Sequence, residues 1–214
     1  MDEVVAKLEI ATGRAVSRET LERLLAFEKA FRRWASRINL AAPSTLPHLW
    51  ERHILDSAQL IRLAPDARGW VDLGSGGGFP GAVVALLLAD QPKTHVDLVE
   101  SNHKKAAFLS TTLAELYAPA RVHACRIEES YSRVPAPEVV TARALAPLPR
   151  LLRLAQPWIS GSTRALLHKG RDYRSEIEES GNEWRFDLVE HEPMFGGDGA
   201  ILEISRLRGV SATT

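Results

Sequence analysis

Apolar positions in the first third of the chain recur at helical spacing. Leu21, Leu24, Leu25, Phe27, Phe31 and Trp34 line one face behind Ser17, a good helix cap, and predict an amphipathic helix over 18–36. A loop runs through Asn39 to Pro43, and Leu49, Trp50, Ile54, Leu55 and Leu60 predict a second helix over 45–62. From Gly69 the period changes. Short apolar runs predict strands over 69–73, 95–100, 121–125, 138–142, 163–168, 184–190 and 200–207. Helices fall between them over 80–89, 102–117 and 147–156, with a charged one near 172–180. Such alternation predicts an α/β fold: a Rossmann-like, mostly parallel sheet with helices on both faces. A C-terminal antiparallel hairpin turns through Gly196-Gly197-Asp198-Gly199. The expected division is an N-terminal helical extension (1–64) packing on the core, a cofactor-binding core (65–210) and a flexible tail (211–214).

The stretch Asp72-Leu73-Gly74-Ser75-Gly76-Gly77-Gly78-Phe79-Pro80-Gly81 joins the first strand to its helix. Glycines there permit positive φ and close ligand approach, and free helix-start N–H groups favour electron-rich ligand atoms. Two cofactor patterns fit. Gly76, Gly78 and Gly81 satisfy the dinucleotide spacing; Asp72 with Gly74, Gly76 and Gly78 satisfies the looser spacing of S-adenosylmethionine (AdoMet) enzymes. A tight turn that binds nothing is the plain alternative. Phe79 and Pro80 make close pyrophosphate approach awkward, and Asp72 suits a cationic ligand, so the surroundings favour AdoMet. Glu100 ends the next strand, where an acid can accept both ribose hydroxyls of either cofactor.

Composition narrows the class. The single cysteine, Cys125, excludes an internal disulfide and fits a reducing compartment; no metal-ligand spacing occurs, and no metal is expected. The start carries acids and no signal-like run, and the longest apolar run, Ala82 to Ala89, is too short to span a bilayer, so a cytoplasmic location without membrane contact is expected. Zero net charge hides an asymmetry. Residues 14–37 carry seven basic side chains against three acidic; residues 143–171 carry six basic and no acidic; residues 172–192 carry eight acidic against two basic. Sign separation of this kind predicts a basic face for a polyanion.

The acceptor chemistry is narrowed by what is missing. Pyrimidine C5 needs a cysteine nucleophile, and Cys125 reads as core. Exocyclic base amines are usually handled by an Asn/Asp-Pro-Pro-aromatic loop; here that place reads Thr141-Ala142-Arg143-Ala144. A hydroxyl acceptor wants a lysine or metal, and Lys169 has no partner acid nearby in sequence. Guanine N7 has a free lone pair, carries no proton and needs only positioning. Arg143 suits it, holding cofactor, guanine O6 or a phosphate, or else pairing with Glu128 across adjacent strand ends.

These residues resemble the RsmG (GidB) family of bacterial small-subunit rRNA guanine-N7 methyltransferases. The resemblance rests on Ile38-Asn39-Leu40, Arg52-His53-Ile54-Leu55-Asp56-Ser57, the glycine loop with its Phe-Pro-Gly ending, Thr141 to Ala144, and His168-Lys169-Gly170. Gly77 stands where Ala or Pro is common, which is expected only to loosen the loop. The resemblance implies a class I AdoMet-dependent methyltransferase fold, with AdoMet contacts at Gly74, Phe79, Ile127, Glu128 and Arg143. It also implies an acceptor guanine in the decoding-region loop of 16S rRNA. Asp72 and Glu100 complete the expected cofactor set; Arg143 is the expected catalytic residue; Asn39, His53, Asp56 and Lys169 are candidates for the RNA side. On a helix Arg52 would face Asp56, and His53 would face Ser57. The expected partner is 16S rRNA or the small ribosomal subunit, met by a monomer. The rival readings are a nicotinamide-dependent oxidoreductase on the same sheet and a non-catalytic, AdoMet-retaining RNA-binding assembly factor.

Overall fold

The computed structural model describes residues 2–159 and 161–210; the 211–214 tail lies outside the described residues. Helices α1 (Asp2–Thr12) and α2 (Arg18–Ala35) come first. Ser17 caps α2 by accepting from Thr20 N–H at 3.1 Å. The single helix expected over 45–62 is three pieces: a 3-10 turn (Pro43–His48), a π-helical turn (Trp50–Leu55) and α3 (Asp56–Leu63). Pro47 lacks the N–H an α ladder would use, and the π turn shifts every side chain after it around the axis. Helix α1, which the reading above leaves unassigned, buries only Leu8, Ala11 and Thr12.

The core alternates as expected: β1 (Gly69–Leu73), α4 (Gly81–Leu87), β2 (His95–Val99), α5 (His103–Glu115), β3 (Ala120–His123), the short α6 (Ile127–Ser130), β4 (Val139–Arg143), α7 (Leu148–Ala155), β5 (Arg164–Lys169), α8 (Tyr173–Ser180), β6 (Trp184–His191) and β7 (Ala200–Gly209). One seven-stranded sheet runs β3-β2-β1-β4-β5-β7-β6. Pairings among β1 to β5 are parallel; β7 runs antiparallel to both β5 and β6.

Strand parity divides the core in two. Trp70, Val96, Leu98, Val139, Leu166 and Ile201 point to the face covered by α1 to α5. Val71, Leu73, Val99, Val140, Leu167 and Leu202 point to the face covered by α6 to α8. The extension supplies much of the first face: Phe27 and Phe31, both fully buried, pack on Phe79 and Phe108 with ring centroids 5.3–6.1 Å apart. Burying each such ring contributes roughly 1.5–3 kcal/mol. Strand order reverses between β1 and β4, so the crevice beyond their carboxyl ends is where such a sheet binds ligands.

Candidate active site

The loop after β1 forms the crevice's floor. Gly74, Gly76 and Gly78 have φ of +66, +56 and +97°, values that favour glycine. Gly74 and Ser75 donate backbone N–H bonds to Val99 O at 2.9 and 3.1 Å, tying the loop to β2. At Gly76 an added Cβ would meet nothing nearer than Gly74 O at 3.7 Å, so the loop presents bare backbone to open space. Glu100, just past β2, accepts from Gly76 N at 2.7 Å with one carboxylate oxygen and from Asn102 N at 2.7 Å with the other. A carboxylate offers about four lone-pair sites, so Glu100 keeps capacity for further donors.

Two loop readings change. Gly77 does not loosen the turn: a Cβ there would lie 2.8 Å from Leu40 O and 2.8 Å from Phe31 Cε2, so its absence lets α2 close on the loop. A side chain at Gly74 would strike Leu145 Cδ1 at 2.5 Å before any ligand. Leu145 follows Ala144, whose left-handed φ of +51° carries on the order of 1–2 kcal/mol of strain for an L residue.

Asp72 is not at the crevice mouth. It is 1% exposed and lies beneath the loop, accepting from Thr141 Oγ1 at 2.8 Å and Gly81 N at 3.2 Å. Burial pushes its carboxyl up to about 6, against those two bonds. Both oxygens are engaged, so direct pairing with a cationic ligand is not what this geometry offers.

Arg143, the last residue of β4, reaches over the Phe79 ring with its guanidinium carbon 5.2 Å from the centroid. Its Nη1 donates to Arg52 O at 3.0 Å and to Asp56 Oδ2 at 3.4 Å, and Nη2 donates to His53 Nδ1 at 2.6 Å. Asp56, and not Glu128, is its carboxylate partner; Glu128 is exposed on α6, beside buried Ile127. The expected Arg52–Asp56 row does not form, because the π turn rotates Asp56 toward β4. Ser57 Oγ instead bonds His53 O at 2.6 Å.

His53 stacks on Phe79 at 4.9 Å and 23°. An arginine only donates, so Nδ1 carries no proton and Nε2 does. Burial and then the Arg143 charge push the imidazole down to about 3, which keeps it neutral. His168 faces the same cluster, with Nε2 3.0 Å from Asp56 O; burial lowers its pKa too.

Lys169 lines the wall of the neighbouring cavity, but its charge is already taken. Its side chain is 8% exposed and its Nζ sits 2.6 Å from Glu176 Oε2 and 3.0 Å from Ala146 O. The partner acid missing nearby in sequence is supplied by α8, and Lys169 is not a free RNA contact. The rest of the acid-free block is neutralised likewise. Arg153 pairs with Glu183, Arg164 with Glu203 and Arg171 with Asp198; among the described residues only Arg150 of its six bases has no such partner. The expected basic face over 143–171 is therefore absent. A cavity of about 780 Å³ opens between Arg52, Asp56, Arg143, His168, Arg171 and the Gly196–Gly199 turn. Asn39 is exposed on the other side of the loop, in a smaller cavity with Lys104 and Lys105.

A glycine loop at the switch point of this sheet, closed by an antiparallel hairpin, is the fold of class I AdoMet-dependent methyltransferases. An O-methyltransferase from Bacillus cereus, solved with SAH, superposes with TM-score 0.59 at 15% identity, covering 85% of this chain and 91% of that one. Fibrillarin from Aeropyrum pernix, solved with natively bound S-adenosyl-L-methionine, gives TM-score 0.53 at 19% identity, covering 72% and 75%. Within that class the chain belongs to the GidB family, rRNA small subunit methyltransferase G, whose profile matches residues 20–201. It is 64% identical over 208 residues to ribosomal RNA small subunit methyltransferase G of Chelativorans sp. (strain BNC1), covering 97% of this chain and 99% of the relative. The protein of that name from Brucella suis biovar 1 (strain 1330) is 58% identical, with 91% of each chain covered. This family places the chain among AdoMet-dependent methyltransferases, and the oxidoreductase reading falls away. No helix among the described residues is long and apolar enough to cross a membrane.

Proposed function

We propose that the chain transfers a methyl group from AdoMet to N7 of a guanine in the decoding-region loop of 16S rRNA, acting as a monomer in the cytoplasm. One observation carries the choice of N7. The titratable side chains that β1, β5, the π turn and α3 bring together at the crevice are already engaged: Asp72 by Thr141, Lys169 by Glu176, His53 Nδ1 and Asp56 by Arg143, and His168 Nε2 by Asp56 O. The two ring nitrogens of this cluster without a partner among the described residues, His53 Nε2 and His168 Nδ1, are buried, and burial pushes both imidazoles' pKa down, so neither is a ready base; N7 has no proton to give.

Gly74, Gly76, Phe79, Glu100, Ile127 and Glu128 would hold the cofactor. The open backbone at Gly76 and the spare acceptor capacity of Glu100 fit an adenosyl group, its ribose hydroxyls donating to the carboxylate. When bound, AdoMet supplies an electrophilic methyl group on a sulfonium. The chain's own contribution is positional. Arg143, fixed by three acceptors and the Phe79 face, presents a rigid planar fork between the cofactor loop and the large cavity. Aimed at guanine O6 or a phosphate, it would orient the base and leave N7 open. Orientation alone can lower a barrier by roughly 7–11 kcal/mol.

The test incubates the purified chain and labelled AdoMet with small ribosomal subunits and maps the modified nucleotide. Label at one guanine, lost when that position is 7-deazaguanine, is expected. Label retained on the 7-deaza analogue would move the acceptor to another atom; AdoMet binding with no label on any rRNA would favour the non-catalytic assembly factor.

A further inference from the structure

Four cations gather on one side of the cofactor loop, around a cavity whose wall carries no carboxylate. Arg33 and Arg37 are exposed at the end of α2, and Lys104 is exposed with Lys105 partly exposed at the start of α5. None of the four forms an ion pair among the described residues, whereas Arg18, Arg23 and Arg32 of the same region pair with Glu22, Asp90 and Glu28. Arg37, Ile38, Asn39, Asn102, Lys104 and Lys105 line a cavity of about 430 Å³ with no carboxylate in its wall. Asn102 Oδ1 accepts from both Lys104 N and Lys105 N, at 3.0 and 3.2 Å, which fixes where the two lysines leave the backbone.

The rim is joined to the cofactor loop on two sides. Asn102 N donates to Glu100, whose other oxygen accepts from Gly76 N. Asn39 precedes Leu40, whose carbonyl packs against Gly77. Uncancelled cations beside a cofactor loop attract a polyanion that must enter the crevice next to it. Resting on the rRNA-methyltransferase reading above, we propose that Arg33, Arg37, Lys104 and Lys105 form the phosphate-backbone dock for the substrate RNA. The strand lies over the α2–α5 side of the crevice while its target base turns in toward Arg143. The acid-free 143–171 block takes no part in holding phosphates.

Neutralising phosphates releases counterions, so each lost contact lowers the salt dependence of binding by about 0.7–0.9 in log–log slope. The triple variant Arg37→Ala/Lys104→Ala/Lys105→Ala should therefore cut the slope of RNA affinity by about 2. It should raise KM for the RNA about tenfold or more at fixed salt, with AdoMet affinity unchanged. The charge-keeping variant Arg37→Lys/Lys104→Arg/Lys105→Arg should keep the wild-type slope, which separates charge from folding. Arg150→Ala/Arg153→Ala should leave the slope alone. A triple variant with wild-type slope and KM overturns the dock, as does a slope lowered only by the Arg150/Arg153 pair. Unchanged binding to naked rRNA with weakened binding to whole subunits would assign the rim to a protein partner and also overturn it. A wild-type chain that methylates no rRNA defeats the functional reading instead, and the RNA-binding slopes still decide the dock.

Discussion

Arg143 and Lys169 end adjacent parallel strands, and the sequence offers both as crevice cations. They have opposite fates. Arg143 is in register with His168, so both point to the face covered by the extension and both converge on Asp56. Lys169 is one residue further along β5 and points to the other face, where Glu176 neutralises it. A shift of one residue moves a side chain from one face of a sheet to the other. Being at the right end of the right strand is therefore not enough; parity decides which cations reach the site.

The largest test of this contrast is on stability. Lys169→Ala should destabilise the fold by about 2–3 kcal/mol in urea denaturation, since it empties a buried position and leaves the half-buried Glu176 carboxylate without its cation. Lys169→Met/Glu176→Gln should recover most of that, because glutamine still accepts from Leu148 N, which Glu176 holds at 2.6 Å. Methyl transfer per folded molecule should stay near wild type; its loss in the stable double variant would return Lys169 to the site. Arg143→Ala should behave in the opposite way, slowing single-turnover transfer about 100- to 1,000-fold. Arg143→Lys should recover only part, since a point charge cannot reach three acceptors held for a planar fork.

A pH experiment comes next in size. The folded carboxyl of Asp72, near 6, lies above its unfolded value near 4, so the native state holds the extra proton between them. The sign follows: this group's contribution is most favourable below about pH 4, falls as pH rises to about 6, and stays low above. Asp72→Asn should flatten that slope and raise stability at pH 7 by up to about 3 kcal/mol, because the amide oxygen can accept from Gly81 N while its NH₂ donates to Thr141 Oγ1. An unchanged pH profile would place the titration elsewhere. Smallest of all, Arg153→Ala removes an exposed pair with Glu183 and should change stability by no more than about 1 kcal/mol.

Much of the scaffold was legible because it rests on local periodicity. Leu98 and Val99, or Leu166 and Leu167, alternate between the two faces as a strand pattern requires. The glycine loop was legible because positive φ at Gly74, Gly76 and Gly78 leaves a mark in composition. Pairings were not. Lys169 meets an acid seven residues on, and Arg143 meets Asp56 across 87 residues, and neither distance has a sequence signature. The charge blocks misled for the same reason: bases of 143–171 and acids beyond 172 attract each other on folding and leave little field outside. The π turn hid because one extra residue per turn looks like an ordinary helix until the side chains are placed.

The contact of Phe27 and Phe31 with the glycine loop has a consequence for how the molecule opens. An added Cβ at Gly78 would meet Phe27 Cζ at 3.1 Å, and one at Gly77 would meet Phe31. The loop's shape is thus moulded on α2, and the two should come apart together. Amide hydrogen exchange would read them as one cooperative unit, with loop amides protected to the level of α2 and both released at once by Phe31→Ala. An N-terminal truncation through α2 would then remove one wall of the cofactor site along with the helix.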